Sequence, residues 1–490
     1  MKRLVFILLI AVICFPGYSQ IENTPEEFLN DGYFFLQIED YSEALFNFLQ
    51  LEGTNLMNDN IKYKIGLCYL NITGEEYKGI PYLEEASLNT TPKYKSKSIK
   101  EKQTPWHSFF YLGQAYRINN QLDKALEAYS TFRNLPDFED NYNLNLVDNE
   151  ISSCEKAKII QDIPIKIEEI NLGEPINNSS ANYNPVISQD ENTLVFMTDL
   201  KFYNAIYLSR KINGQWTDPE NITPQVGSDG DVVPTCLSYD GKELFLVKGI
   251  NNNRDIYISK FNDGWWTNME PLGENINSNH AETHASVSSD GYTLFFTSNR
   301  KGGEGELDIY SSKKMKNGKW GPAENLGPII NTIYNEETPF LSADGEILYF
   351  SSEGHYNMGG FDIFYSGLKE NGKWDNPTNI GYPLNTTSDN IFYNPVGNGY
   401  IGFISKISRE GLGNKDIYRI KIISDDDKTY SEFSGPVDMN GKILKIDKNF
   451  NIRIIDKLTN KIIATIYFNK EEGKFTFVSE SGNYYFKYEE

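Results

Sequence analysis

The sequence predicts a multidomain chain of mixed α and all-β class, with an α-helical solenoid, then a five-bladed β-propeller, then a small β-sandwich. Three observations lead to this prediction. Residues 24–160 repeat small and aromatic residues at helical spacing, residues 161–423 repeat a unit of about 50 residues with strand signals, and residues 431–490 alternate in polarity.

Composition supports β structure and excludes one class of partner. Among the 490 residues, 14% are aromatic, and 38 Gly and 20 Pro provide many turns. The formal net charge is −22, and a surface of this sign repels phosphate backbones. We therefore expect a solvated acidic surface and no nucleic-acid partner.

Residues 1–19 have the pattern of a cleaved export signal. A basic pair precedes an apolar run, and Gly17 and Ser19 are the small residues expected before the cleavage point. The run is too short to span a bilayer, and we expect no transmembrane segment after cleavage. Cys14 invites a lipoprotein interpretation, which the bulky Ile13 before it disfavours. Three cysteines remain, odd in number and too scattered for a disulfide framework: Cys68, Cys154 and Cys236.

Residues 24–160 carry small residues at matching offsets. Gly32 and Ala44 are separated like Gly113 and Ala125, and an aromatic residue follows each alanine after four positions. A weaker middle set contains Gly66, and a Lys-rich insertion near residues 90–103 follows it. Small residues let paired helices approach closely, so the pattern predicts three helical pairs.

These pairs resemble tetratricopeptide repeats, most clearly at Leu112-Gly113-Gln114-Ala115-Tyr116. The resemblance implies a groove that binds peptides or protein partners, and the alternative is a plain spacer. Residues 144–160 are expected to form a closing helix that covers the last apolar face.

Residues 161–423 repeat one Asp at nearly constant spacing, each time before Ile and an aromatic residue. The four copies are Asp255, Asp308, Asp362 and Asp416. Ala205 replaces the Asp in the first copy. A Gly-x-Trp follows four times, at Trp216, Trp266, Trp320 and Trp374. Each unit therefore predicts four short strands, of which the second is apolar on both faces and the fourth carries the Trp.

Sheets that are apolar on both faces are buried when they stack around an axis, which predicts a β-propeller. Five copies of the second and third strands predict five blades, with six as the alternative. The segment Ile163–Ile170 has no place in the first repeat. We expect it to be the outer strand of the last blade, which clasps the two ends of the ring.

The repeated residues are interpreted as structural. Each Asp carboxylate is expected to accept backbone N–H bonds in the turn before the third strand, rather than to ligate a metal. Each Trp is expected to pack within its blade rather than to bind sugar. His280, Glu282 and His284 look like a metal motif, but two histidines at i and i+4 on a strand need not converge. We therefore predict no catalytic residue, no metal and no cofactor.

Two further resemblances concern the β regions. The text Ser-x-Asp-Gly, an apolar strand and Asp-Ile-Tyr, across about residues 183–421, resembles the WD40-like (PD40) propellers typified by the C-terminal part of TolB. Residues 431–490 resemble the carboxypeptidase regulatory-like β-sandwich, through Gly435-x-Val437-Asp438 and Gly473-x-Phe475-x-Phe477. That module is expected to be incomplete at Glu490.

This order of domains resembles the OmpA-family envelope proteins of Bacteroidetes, including the PorE component of type IX secretion. The resemblance implies a non-enzymatic scaffold in the periplasm, associated with the outer membrane, whose repeat groove and propeller face bind envelope proteins. The family's C-terminal OmpA-like domain, which grips peptidoglycan, is expected to be absent, so contact with peptidoglycan would be indirect. Two alternatives remain open: a ligand-sensing propeller, and a propeller-based enzyme acting on glycans or peptides.

Overall fold

A computed structural model describes residues 24–96, 98–136, 138–250, 253–408, 410–423, 450–456, 462–468 and 484–489. The chain divides into two compact units, Met1–Ile151 and Ser152–Glu490. The predicted signal peptide, with Cys14, lies outside the described residues. Within the described ranges, no helix has both the length and the apolar character that crossing a bilayer requires.

The first unit contains three pairs of helices. They are α1 (Pro25–Gln37) with α2 (Tyr41–Leu49), α3 (Asp59–Leu70) with α4 (Glu76–Ala86), and α5 (His107–Ile118) with α6 (Leu122–Arg133). Two short strands, β1 (Thr90–Thr91) and β2 (Thr104–Pro105), pair with each other between α4 and α5. The short α7 (Phe138–Asn141) and the long α8 (Leu144–Gln161) follow. The helices stand where the sequence predicts them, and their assignment to the tetratricopeptide class stays a prediction.

Glycines allow the paired helices to approach. A Cβ atom on Gly32 would lie 2.6 Å from the ring of Phe48, and one on Gly113 would lie 2.7 Å from the ring of Tyr129. At the matching place in the middle pair, a Cβ on Gly66 would lie 2.5 Å from Leu83. Real Cβ atoms do not come so close to another carbon. The expectation that small residues permit close pairing of the helices is confirmed.

The second unit contains a propeller of five antiparallel sheets. Blade 1 has β4 (Asn182–Ile187), β5 (Thr193–Asp199), β6 (Asn204–Ile212), β7 (Gln215–Trp216) and β8 (Glu220–Asn221). Blade 2 has β9 (Val232–Leu237), β10 (Glu243–Ile250), β11 (Asn253–Asn262), β12 (Trp265–Trp266) and β13 (Glu270–Pro271). Blade 3 has β14 (Glu282–Val287), β15 (Thr293–Ser298), β16 (Asp308–Lys313) and β17 (Glu324–Asn325). Blade 4 has β18 (Glu336–Leu341), β19 (Ile347–Ser352), β20 (Asp362–Gly367) and β21 (Thr378–Asn379).

Blade 5 closes the ring with a strand from the other end of the propeller. It contains β22 (Asn394–Val396), β23 (Ile401–Lys406) and β24 (Asp416–Ile422), and its outer strand is β3 (Ile167–Asn171). Arg419 lies opposite Ile170 in this antiparallel pair. Inner strands of blades 5 and 1 also contact each other. The prediction of five blades with a clasp is confirmed, and the six-bladed alternative is wrong.

The second strand of each blade supplies the core between sheets. Its central aromatic or aliphatic side chains are almost fully buried, as at Phe196, Phe245, Phe296, Phe350 and Phe403. Each such side chain contributes roughly 1.5–3 kcal/mol relative to an exposed one. Burial on both faces is what the apolar runs of the sequence predict.

The position of the Trp residues differs from the prediction in two blades. In blades 1 and 2, Trp216 and Trp266 do lie in two-residue strands that pair with the third strand. In blades 3 and 4, the fourth strand is instead the Glu-Asn or Thr-Asn dipeptide, while Trp320 and Trp374 form only isolated bridges. The prediction of a Trp-bearing fourth strand is wrong there, because each Trp forms one bridged pair and not a ladder of two.

Three strands are described after the propeller: β25 (Phe450–Asp456), β26 (Ile462–Phe468) and β27 (Tyr484–Glu489). β25 is the central strand and pairs antiparallel with both others. Most of the motif residues that suggested a sandwich at 431–490, including Gly435 and Gly473, lie outside the described residues. The sandwich therefore stays a prediction.

Candidate functional site

The repeated Asp carboxylates hold the loops that enter the third strands. Asp308 accepts the backbone N–H of Glu304 at 2.6 Å and of Gly305 at 3.0 Å. Asp416 accepts the corresponding groups of Leu412 and Gly413 at 2.7 and 3.1 Å. Asp362 accepts the N–H of Met358 at 2.6 Å. These bonds tie each carboxylate to its own turn, so the three residues brace loops instead of converging on a ligand.

Asp255 departs from this pattern. Its carboxylate accepts only a long bond, 3.5 Å, from the side chain of Asn253 among the bonds described. Burial, with the charge of Glu282 as a smaller cause, raises the pKa of Asp255 above its usual range.

In blades 3, 4 and 5, a pair of asparagines adds hydrogen bonds to the carboxylate of the repeated Asp. The sequence analysis did not interpret these asparagines. In blade 3, Asn325 donates to Asp308 at 2.8 Å, and Asn331 donates to the Oδ1 of Asn325 at 2.9 Å. Asn331 also exchanges two bonds with the backbone of Ile309. The same network recurs at Asn171 with Asn177 and at Asn379 with Asn385. The signal was available, since each pair is six residues apart.

The Trp side chains pack as the sequence predicts for blade-stabilising residues. Trp266 and Trp320 are buried in the main propeller core, while Trp216 and Trp374 pack against smaller apolar clusters. The rings therefore do not form one exposed platform for sugar.

The lower part of the central channel is nearly closed. Its cavity, bounded by residues such as Cys236, Ser286 and Phe340, measures about 30 Å³, which is the room of about one water molecule. The hydroxyl of Ser286 is buried there without a protein partner. Burial raises the pKa of the Cys236 thiol to about 12, so this sulfur is not a thiolate near neutral pH. Small-molecule sites are usually ten times larger.

The upper part of the channel holds a pair of titratable groups whose side chains are each 15% exposed. Nδ1 of His284 on β14 lies 3.4 Å from a carboxylate oxygen of Glu337 on β18. Burial lowers the pKa of His284 to about 3, and the nearby Arg254 cation acts in the same direction. Burial also raises the pKa of Glu337 to about 7, although Arg254 opposes this shift. At neutral pH the imidazole is uncharged and the carboxyl group is poised to bind or release a proton.

The His280–His284 segment does not assemble the metal set that its spacing suggests. Glu282 accepts bonds from the hydroxyls of Ser278 and Ser298, both at 2.8 Å, and forms an ion pair with Arg300 at 3.1 Å. The Glu282 carboxylate is thus occupied by these bonds and does not serve as a metal ligand. Among the described residues, no three His, Cys, Asp or Glu side chains are placed to share a metal ion.

Exposed apolar side chains lie on the loops at both faces of the propeller. The upper face comprises the loops that enter the first strands and those that join the second and third strands, and the opposite face comprises the remaining loops. The exposed large apolar residues of the upper face include Phe202, Tyr203, Ile333, Tyr356, Ile391, Ile407 and Leu412, and those of the opposite face include Ile212, Tyr239, Trp265 and Tyr292. Phe202 is the most exposed of them, at 87%. Aromatic side chains of this kind are common anchors of protein-binding surfaces.

Comparison with known proteins assigns no family to the chain. No protein-family model and no curated protein matches the chain. Among solved structures, TolB from Acinetobacter baumannii is 20% identical over 49% of this chain, with a TM-score of 0.33. The chain spans 54% of the length of that TolB. The catalytic domain of the GH62 α-L-arabinofuranosidase of Coprinopsis cinerea is 10% identical over 52% of this chain and 96% of its own, with a TM-score of 0.35.

Proposed function

We propose that this chain is a non-enzymatic scaffold of the cell envelope. It would be exported through residues 1–19 and would act in the periplasm near the outer membrane. Its helical repeats and the upper face of its propeller would bind envelope proteins, with the type IX secretion machinery as the specific candidate. The sequence resemblance to OmpA-family envelope proteins motivates the location.

The observation that carries the proposal is the exposure of Phe202 on the loop between β5 and β6, where 87% of the residue is accessible to solvent. Burying such a ring against a partner contributes roughly 1.5–3 kcal/mol, so this side chain is a suitable anchor for a protein contact. The loop that presents Ile407 and Leu412 is braced by Asp416, whereas the loop of Phe202 precedes Ala205, which stands where the other copies have the Asp. A braced loop loses little conformational entropy when a partner binds, so its apolar contacts translate into affinity.

One observation favours a second candidate, a propeller that responds to a small ligand or to protons. His284 and Glu337 form a mostly buried titratable pair that takes no part in the repeated braces. Buried groups with shifted pKa values are enriched at functional sites. The lower channel, at about 30 Å³, has no room for a ligand of drug size, so such a ligand would have to bind elsewhere. Ligand-dependent shifts in the melting temperature would reveal this second function.

Site-specific photo-crosslinking in native cells tests the scaffold proposal. A photoreactive amino acid replaces Leu412 on the upper face in one variant and Tyr292 on the opposite face in the control; their exposures are 49% and 61%. We expect the Leu412 probe to capture a discrete envelope protein that the Tyr292 probe does not. Phe202→Glu in the same chain should abolish that crosslink without lowering the melting temperature. Equal capture by both probes, or none by either, would contradict the assignment of the face.

A further inference from the structure

The connection between α4 and α5 is much longer than usual and has its own fold. Helix–helix connections in bundles mostly have 2–8 residues, whereas this one spans residues 87–106. Its base is fixed by the β1–β2 pair and by a 2.7 Å bond from the Thr104 hydroxyl to the carbonyl of Ala86. We call residues 92–103, described except for residue 97, the strap.

A turn organised by Glu101 shapes the strap. The Glu101 carboxylate accepts the backbone N–H groups of Lys95, Lys102 and Gln103 at 3.2, 3.0 and 3.1 Å. These bonds lower the pKa of Glu101, so it stays ionised and keeps the turn closed at ordinary pH. The strap therefore has a structure that depends little on the helices beneath it.

Within the described residues, the hydrogen bonds that join the strap to α3 all go to Asn60. The Tyr94 hydroxyl donates to Oδ1 of Asn60 at 2.8 Å. The Asn60 amide donates to the carbonyl of Glu101 at 3.2 Å and to the Tyr33 hydroxyl of α1 at 3.0 Å. The backbone N–H of Asn60 bonds the carbonyl of Lys102 at 3.1 Å. Asn60 thus binds a side-chain hydroxyl and two backbone carbonyls that the turn of the strap brings together.

The surface near this contact combines packed tyrosine rings with a buried lysine, which favours a role in binding a partner. Tyr63 packs edge-on against Tyr94, with ring centroids 6.4 Å apart. Lys64 is only 6% exposed, and its ammonium lies 4.7 Å from the centre of the Tyr33 ring. None of the ion pairs found within the described residues involves Lys64. A buried ammonium without a counter-charge is costly, and burial lowers its pKa to about 8.

We propose that the strap is a displaceable, intramolecular occupant of the surface formed by α1 and α3, and that a partner peptide binds there only after the strap lifts. This inference rests on the proposed role of the helical unit in binding proteins. The partner is a peptide that folds into a turn and offers a hydroxyl donor to Oδ1 of Asn60 and a backbone carbonyl to its amide. The fixed base lets the strap swing away without unfolding, because the contacts at Asn60 are separate from the β1–β2 pair.

A peptide with the sequence of residues 90–105, labelled with fluorescein, is the probe for this site. In the full-length chain, a variant replaces residues 93–102 with Gly-Ser-Gly-Ser and leaves the surface open. We expect this variant to bind the peptide with a dissociation constant below about 1 mM. That value is the effective concentration typical of a short tether. Wild-type protein should bind at least tenfold more weakly, because its own strap competes. Fluorescence anisotropy measures both affinities.

Two matched changes localise the binding. Asn60→Ala in the strap-replaced chain, and Tyr94→Phe in the peptide, should each weaken binding, the first by at least tenfold. Circular dichroism melting confirms that the helices of each variant stay folded. A folded strap-replaced chain that fails to bind the peptide at 1 mM, or that binds it equally with Asn60→Ala, overturns the proposal.

The outcome is separable from that of the scaffold proposal, because the probe is a synthetic peptide and needs no envelope partner. Peptide binding without any crosslinked partner would leave the strap mechanism standing and the scaffold role refuted. Hydrogen exchange gives a second measurement. Tyr94→Phe in the full chain should accelerate exchange at the Asn60 backbone amide at least tenfold, while the amides of α5 and α6 keep their rates.

Discussion

At the scale of single residues, Glu337 and His284 make propeller stability depend on pH in opposite directions. Unfolded glutamate ionises near pH 4.5, but folded Glu337 keeps its proton until about pH 7. Its ionisation therefore opposes folding, and its contribution to stability falls as pH rises from about 4.5 to 7. Folded His284 resists protonation down to about pH 3 instead of 6.5. Its contribution is lost as pH falls through that range.

We expect Glu337→Gln to separate these two effects. Gln resembles the protonated carboxyl, so the variant should unfold at the same urea concentration as wild type at pH 4. At pH 8 it should be more stable, by as much as about 3 kcal/mol, because no charge is buried. Glu346→Gln, at an exposed position, is the control and should shift neither midpoint. The same gain at both pH values would show that packing, rather than ionisation, distinguishes the two side chains.

At the scale of elements, the closeness of α5 and α6 depends on the absence of a Cβ at residue 113. Gly113→Ala would place a methyl group 2.7 Å from two atoms of the Tyr129 ring. Tyr129 cannot simply turn away, because its hydroxyl donates to Glu150 of α8 at 2.8 Å. We expect the helical unit to lose about 1–3 kcal/mol, the usual cost of overpacking. Ser130→Ala, on the exposed side of α6, should change the free energy of unfolding by under about 0.5 kcal/mol, and chemical denaturation followed by circular dichroism compares the two.

Some elements could be predicted from the sequence, and others could not. The strand sequences of the repeats are closely similar, so copies such as Leu294–Phe296 could be aligned and counted without a structure. The clasp was predictable because a ring with one unpaired segment needs one outer strand. The strap was not, since its contact with Asn60 depends on how an insertion folds back. Neither was the pair of His284 and Glu337, which occurs once and joins different blades.

At the scale of the whole molecule, we expect the propeller to unfold as one cooperative unit, because β3 and β24 join its two ends. Opening that seam exposes the edge of β24 and leaves the ends of the ring joined only by the packing of blade 5 on blade 1. Lys166 and Leu172 on either side of β3 exchange backbone bonds with blade 5. By the alternation of an antiparallel ladder, the N–H of Ile170 points at the same partner strand. Ile170 itself is 43% exposed, so its side chain contributes little to the core.

Ile170→Pro therefore tests the seam while leaving the core almost unchanged. Proline removes the N–H from the ladder, and we expect the propeller to lose at least about 2 kcal/mol. Ile170→Thr keeps both the N–H and the β-branched shape, and it should cost much less. Trp216, Trp266, Trp320 and Trp374 report on blades 1 to 4, so single-Trp variants followed by fluorescence in urea show where the loss appears. If the ring is one cooperative unit, all four report the same lowered midpoint, because the seam that fails is shared by every blade. A lowered midpoint confined to Trp216, next to the seam, would mean that the blades unfold independently and that β3 stabilises only its neighbours.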